Sequence, residues 1–291
     1  MTKISAGQSV NCFSILRLSL NTLISNPIIF FPLCILMFIY LLAIEILYFL
    51  PYDPMVSFFG PIITKLWSVT YIHYPNYMFL LPVLFQSVKP MIYIFGSSFW
   101  FAMMISIIEA INNEKKVVLH TLFKEIWKIY VHLVLATVLS YCLYLVFDRA
   151  YELIFQRALR IRSETGIFFF IKKLVITTRP YTYLGFGVLL TTLFAFVLPI
   201  IVLDKKKILP AIKLNFKKLW KSFGLVFTLV LIPTLLYIPI LLLRNVTFDV
   251  AKLIPTIHLI MLIVSIIMSV LLDALIYIAV TSFYLLTGES K

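Results

Sequence analysis

Six long apolar runs constrain this chain more than any other feature of its sequence. Each run reaches about the 20 residues that an α-helix needs to cross the hydrocarbon core of a bilayer, and the last is longer than a span needs, which predicts a helix that tilts or projects from the bilayer. Lipid offers no hydrogen-bond partners to backbone groups, so the runs are predicted to be helices rather than open strands. The runs cover residues 28–50, 91–111, 129–147, 181–203, 223–243 and 256–286.

The composition supports a membrane protein. Hydrophobic residues make up 62 % of the chain and charged residues 13 %, whereas a soluble domain carries about 25 % charged residues. We therefore expect one all-α polytopic membrane helical bundle over residues 1–291, with about six transmembrane helices. The net charge of +13 lies in short clusters between the apolar runs. Anionic lipid headgroups are the partner that this pattern favours, rather than nucleic acid.

Several prolines fall inside predicted spans. Pro199, Pro233 and Pro239 lie in the fourth and fifth runs. Proline has no backbone N–H and its ring crowds the preceding turn. These residues predict kinks in both spans.

Two segments between the runs are harder to assign. Residues 51–89 are apolar and aromatic but interrupted by Pro and Gly, which predicts a folded cap or a segment lying on the membrane. Residues 148–162 (DRAYELIFQRALRIR) interleave charged and apolar residues, which suits a helix in the headgroup plane. The alternative is that 51–89 or 148–180 contains an extra span, for example through FLLPVLF at 79–85, which would invert everything after it.

The distribution of Lys and Arg indicates an orientation. With six spans both termini share a side, and that side carries fourteen basic residues against eleven on the other. Cytoplasmic loops carry the excess of Lys and Arg in membrane proteins. We expect both termini to be cytoplasmic in a multi-pass protein of the cell membrane.

A basic, aromatic phrase occurs twice. FKEIWK at 123–128 and FKKLWK at 216–221 each follow one run and directly precede the next. Apolar and aromatic residues share one helical stripe and lysines flank it, which predicts in-plane helices with Trp at headgroup level. A similar stripe at 13–23 precedes the first run. The predicted lipid-binding residues are Lys124, Trp127, Lys128, Lys213, Lys217, Lys218, Trp220 and Lys221.

Two explanations of the repeated phrase stay open. One is a parallel internal repeat over about 101–147 and 194–240. The other is convergence, because Trp, Phe and Lys gather at any membrane boundary. Both explanations predict the same architecture, in which a surface helix precedes a spanning helix.

Two stretches resemble a known group of proteins. They are FSILRLSLNTLISNPIIFFPL at 13–33 and VLPIIVLDKKKILPAIKLNFKKLWK at 197–221. They look like bacterial six-span integral membrane families related to the membrane domain of glycerophosphodiester phosphodiesterase. Pro199, Asp204 and Ala211 match that pattern, and Asn215 stands where serine is usual. The resemblance implies a six-helix module in the bacterial inner membrane. The enzyme's catalytic barrel has no counterpart in this chain, so its activity is not implied.

Two acidic residues inside predicted spans are candidates for function. Asp273 lies near the middle of the last run and Glu45 near the end of the first. A charge at mid-bilayer costs about 2.5–3.5 kcal/mol on insertion scales, so such residues are often functional. Asp273 could face a cavity as an ion or proton site, or could be hydrogen-bonded to a neighbouring helix.

The sequence favours a protein that is not an enzyme. It has no HExxH, GxSxG or Walker pattern, and we expect no catalytic residue, cofactor or metal. The favoured hypothesis is a membrane scaffold, an accessory subunit of other membrane proteins or a lipid-organising protein. The alternative is a transporter of a small solute, an ion or a lipid that uses a mid-membrane acid.

Overall fold

The chain folds into α-helices joined by short connections. The structure, a computed structural model, describes residues 11–161, 165–250 and 254–287. These residues contain no β-strand, which confirms the predicted all-α class. The helices are α1 (Cys12–Ser25), α2 (Phe30–Phe49), α3 (Met55–Leu66), α4 (Asn76–Met91), α5 (Ser98–Asn112), α6 (Leu119–Leu159), α7 (Gly166–Leu193), α8 (Val197–Leu203), α9 (Ile208–Leu235), α10 (Ile238–Val250) and α11 (Ile257–Leu286).

Six helical stretches of the described chain are long and apolar enough to cross a membrane. This number confirms the prediction of a multi-pass membrane protein. FLLPVLF lies within α4, which continues through a π-helical turn at Ile92–Ser97 into α5. It therefore belongs to the second span and adds no extra one. The six stretches are Pro27–Phe49, Asn76–Asn112, Leu119–Leu159, Gly166–Leu203, Ile208–Leu235 and Ile257–Leu286.

Helix α6 is much longer than a membrane span. Its 41 residues extend over about 60 Å at 1.5 Å per residue, twice the ~30 Å hydrocarbon core. The sequence predicts separate in-plane helices at both ends of the third span, whereas FKEIWK and residues 148–159 are the two ends of one helix. The reason is local, because no Pro or Gly interrupts 119–159. Arg162, the end of the second predicted helix, lies outside the described residues.

Two of the three predicted surface helices are distinct from the spans that follow them. Helix α1 ends before Asn26, and a short 3₁₀ turn at Pro27–Ile29 leads into α2. Helix α9 is kinked at Ser222, whose φ of −131° and ψ of 19° are not helical. Residues 208–221, which contain FKKLWK, are thereby separated from the spanning residues that follow.

The fourth span is interrupted near Pro199, and the fifth ends earlier than predicted, so that Pro239 lies in a separate helix. Residues 194–196 form a turn between α7 and α8, and residues 236–237 form a turn between α9 and α10. Pro199 and Pro239 lie in the first turns of α8 and α10. A missing N–H is readily tolerated in a first turn, where it would have no helical partner. Pro233, in contrast, lies inside α9, two residues before that helix ends.

Helix α5 is the centre of the bundle. Its residues from Phe101 to Ile108 are all buried, so the helix is covered on every side. Helices α2, α6, α8 and α11 pack around it. Helix α1 packs against α11 and α9, so that one of the predicted surface helices contacts the last span.

Candidate functional site

A large cavity lies inside the bundle. Its volume is about 1200 Å³, and α4, α6, α7, α8, α10 and α11 all contribute to its wall. Half of the 26 residues that line it are polar or charged. The polar lining residues include the charged Lys89, Asp148, Arg179 and Asp273, five tyrosines at 93, 141, 144, 183 and 277, and Gln86, Thr137, Ser140 and Thr191.

Asp273 and Lys89 are at the boundary between this cavity and a smaller one. The second cavity has a volume of about 130 Å³ and is also lined by Tyr40, Ser97 and Ser269. Both charged residues line both cavities, and the charge of Lys89 acts on Asp273. The predicted mid-membrane acid therefore faces open space, with a basic residue as its electrostatic neighbour.

A tyrosine accompanies each member of this pair. Tyr277 lies four residues after Asp273 on α11, and Tyr93 lies four residues after Lys89. Residues four apart share a helix face, so each helix presents one charge and one tyrosine to the cavity. Tyr93 interacts with Tyr277, and the Tyr277 ring stacks on Phe101 with centroids 4.5 Å apart.

The π-helical turn that carries Tyr93 is fixed by side chains of neighbouring elements. A π turn widens the helix, and such turns are frequent at functional sites. The hydroxyl of Tyr130 donates to the carbonyl of Phe95 at 2.9 Å, and the hydroxyl of Ser98 donates to the carbonyl of Ile94 at 2.6 Å. The wide turn begins two residues after Pro90, which has no N–H to donate.

The break in the fourth span forms another part of the wall. Phe194 and Ala195 line the cavity. Asn215 on α9 donates to the carbonyl of Leu193 at 2.7 Å, and the N–H of Phe196 donates to the side-chain oxygen of Asn215 at 3.0 Å. Non-helical backbone at membrane depth is tolerated where it is buried in protein or lines a polar cavity, and both conditions are met here.

The other charged lining residues have partners on the α6–α7 hairpin. The guanidinium of Arg179 contacts the carboxylate of Glu152 at 2.9 Å and lies 4.2 Å from the ring centroid of Phe155. The hydroxyl of Tyr183 donates to the carboxylate of Asp148 at 2.7 Å. These contacts join the two helices along one side of the cavity.

The two predicted intramembrane acids have different surroundings. Asp273 lines both cavities, whereas Glu45 lies on the exposed face of α2 and does not line either of them. Sequence reasoning missed Lys89, which it counted with the preceding loop. Its spacing of four residues from Tyr93 was the available signal, because the same charge-to-tyrosine spacing occurs at Asp273.

The surface part of α9 has three faces. Ala211, Asn215 and Leu219 are buried against the bundle. Phe216 and Trp220 form an aromatic face, and Trp220 is 91 % exposed. The exposed lysines of the third face are Lys213, Lys217 and Lys221.

Lys218 is distinct from the other predicted lipid-binding lysines of α9. Its ammonium group is buried and lies 3.9 Å from the ring centroid of Tyr284 on α11. The hydroxyl of Tyr284 in turn donates to the carboxylate of Asp204 at 3.0 Å. Lys218 therefore connects the surface helix to the last span instead of pointing outward.

The first copy of the phrase has a similar exposed edge. Lys124 and Lys128 are exposed, and Trp127 is 62 % exposed. The Trp127 ring stacks on Phe123 and Tyr130, with centroids 6.2 and 5.4 Å away. This aromatic stack presents lysines and an indole together at the start of α6.

Comparisons with protein-family models, with curated proteins and with solved structures find no match to this chain. The resemblance to the phosphodiesterase-related membrane families therefore stays a prediction.

Proposed function

We propose that this protein is a non-catalytic transporter that binds a small amphipathic solute in the large cavity and couples its movement to Asp273. One observation carries the proposal: the acid in the middle of the last span lines a polar cavity of about 1200 Å³. An ionisable residue at this depth is costly in lipid and favours a function in an ion or solute pathway.

The interrupted spans also support transport. Residues at the break between α7 and α8 line the cavity, and so does Leu241 on α10, beyond the second break. Discontinuous helices at the binding site are a recurring feature of secondary transporters, where they allow one part of the bundle to rock against another.

Lys89 and Arg179 line the cavity and need not be counted among the loop residues that set the orientation of the protein in the membrane. Without them, the excess of basic residues on the side of the two termini is larger, which favours cytoplasmic termini more strongly. The membrane that we propose is the inner membrane of a bacterium.

Flux through proteoliposomes tests this function. Vesicles loaded with a pH-sensitive dye would receive gradients of amino acids, amines and carboxylic acids in turn. We expect one class to change the internal pH with the wild-type protein and to lose this effect with Asp273→Asn. Glu45→Gln is the matched control, because it neutralises an acid that lies outside the cavity. Solute-dependent flux that Asp273→Asn leaves intact would contradict the coupling role.

A second candidate function has its own support. The exposed Trp220 lies beside the exposed lysines of α9, a combination that suits anionic headgroups. A lipid-organising or accessory protein would use this surface to gather anionic lipids or other membrane subunits. Native mass spectrometry after gentle extraction tests it. Enriched anionic lipid or a reproducible protein partner would support this function. The absence of both would oppose it.

A further inference from the structure

We infer that the cavity selects a zwitterion, a solute that carries both an ammonium group and a carboxylate or phosphate. Asp273 is the site for the ammonium group and Lys89 is the site for the anionic group. This inference rests on the proposed function, because it names the class of solute that the same cavity takes.

The first argument is the proximity of opposite charges. Asp273 and Lys89 line the same two cavities, and the charge of one acts on the other. A solute with a single charge would pair with one of these two residues and leave the other without its counter-charge. Asp273 is half-buried, and loss of a counter-charge is unfavourable for a charge that is withdrawn from water. A zwitterion supplies a counter-charge to each residue at once.

The second argument is the pair of tyrosines beside these charges. Tyr93 and Tyr277 line the cavity next to Lys89 and Asp273. An aromatic face attracts an ammonium group through the cation–π interaction, and a phenolic hydroxyl can donate to a carboxylate or phosphate. The same two side chains can therefore contact both ends of a zwitterion.

The third argument concerns the other charged groups of the wall. Arg179 is paired with Glu152 at 2.9 Å, and Asp148 accepts a hydrogen bond from Tyr183 at 2.7 Å. The α6–α7 hairpin thus supplies a counter-charge to Arg179 and a hydrogen-bond donor to Asp148. Selection by charge is consequently assigned to Asp273 and Lys89.

The volume of the cavity is large enough for a zwitterion with a sizeable body. Pockets for drug-sized ligands measure about 300–1,000 Å³, and this cavity has about 1200 Å³. The required chemistry occurs both in aromatic amino acids or short peptides and in zwitterionic lipid headgroups. Two series of probes separate these sources.

The test is binding to purified full-length protein in a non-ionic detergent, measured by calorimetry. The first series is phenylalanine, which carries both charges, its methyl ester, which carries the ammonium alone, and N-acetylphenylalanine, which carries the carboxylate alone. The second is dihexanoylphosphatidylcholine, octyltrimethylammonium and dihexanoylphosphatidic acid. We expect the zwitterion of one series to bind at least tenfold more tightly than both of its singly charged partners.

Charge variants test the assignment of the two ends. Asp273→Asn should shift the preference toward the anionic probe, and Lys89→Gln should shift it toward the cationic probe. The exchange of both residues, Lys89→Asp with Asp273→Lys, should restore the preference for the zwitterion. Restoration would not follow from a merely structural role of either residue.

Three results would overturn the inference. They are a singly charged probe that binds the wild-type protein as tightly as the zwitterion, preferences that neither single variant alters, and no binding in either series. Tight binding of a singly charged probe, lost in Asp273→Asn, would reject the zwitterion and leave the proposed transport function intact. The wild-type comparison needs no variant to fold, so a poorly folded variant does not remove the test.

Discussion

The side-chain oxygen of Asn215 accepts a hydrogen bond from the backbone N–H of Phe196 at 3.0 Å, at the point where a membrane helix is broken. The amide nitrogen of the same residue donates to the carbonyl of Leu193 at 2.7 Å. One buried side chain on the surface helix thus satisfies backbone groups on both sides of the turn. This contact joins the surface part of α9 to the cavity wall.

Replacing Asn215 should destabilise the protein. Asn215→Ala would leave a buried donor and a buried acceptor unsatisfied, and each such group costs about 1–3 kcal/mol. We expect the Tm in detergent to fall by several degrees, followed by intrinsic tryptophan fluorescence. Asn215→Ser keeps one short polar group, so its Tm should lie between those of the wild-type protein and of Asn215→Ala. Equal Tm values for Asn215→Ala and for the exposed control Lys217→Ala would argue against this role.

Neighbouring lysines on α9 should differ in their effect on stability. Lys218→Gln removes a cation–π contact with Tyr284, which is worth about 0.5–2 kcal/mol, whereas Lys217 is exposed. Thermal unfolding should therefore show a lower Tm for Lys218→Gln than for Lys217→Gln. Tyr284→Phe should retain the lysine contact and lose the hydrogen bond to Asp204. A Lys217→Gln variant that is the less stable of the two lysine variants would refute the assignment.

Anionic lipid binding should depend on the outward-facing lysines. The triple variant Lys213→Gln, Lys217→Gln, Lys221→Gln removes three exposed charges, each worth roughly 1 kcal/mol near an anionic surface. We expect fewer retained anionic lipids in native mass spectra of the triple variant, and little change for Lys218→Gln. The opposite ranking would mean that lipids contact the buried side of the helix.

Cross-linking should confirm the pairing of α6 with α7. The rings of Phe147 and Phe186 stack with centroids 3.6 Å apart. In a background without Cys12, Cys34 and Cys142, the pair Phe147→Cys and Phe186→Cys should form a disulfide under mild oxidation. The shift in gel mobility measures it.

The control uses the adjacent residue. Val146 is exposed on another side of α6, so Val146→Cys with Phe186→Cys should stay reduced. Cross-linking of the control pair alone would place α7 on a different face of α6.

Much of the fold could be predicted because the period and length of apolar runs determine membrane helices directly. The number of spans, the interruption near Pro199 and the in-span acid at Asp273 all come from local patterns. The continuity of α6 could also have been predicted, because 41 residues without Pro or Gly contain no signal for a break. The charges near its ends suggested breaks instead.

The cavity could not be predicted, because it is formed by residues that are distant in the sequence. Tyr93 and Tyr277 are ordinary interfacial or core residues in a linear reading, and only packing brings them together beside Lys89 and Asp273. Asn215 is conspicuous in the sequence only as a departure from an expected serine. Its function as the bridge across the helix break depends on how α9 packs against α7.

Solvent access to the cavity is the most direct test of the proposed function. Ser140 lines the cavity, and Leu139 is an adjacent exposed residue outside its lining. Each would be changed to Cys in the cysteine-free background and treated, in open membrane fragments, with a charged methanethiosulfonate that does not enter lipid. We predict modification of Ser140→Cys and none of Leu139→Cys, while a lipid-soluble maleimide modifies Leu139→Cys. A Ser140→Cys variant that resists the charged reagent would contradict a water-accessible solute site in this bundle.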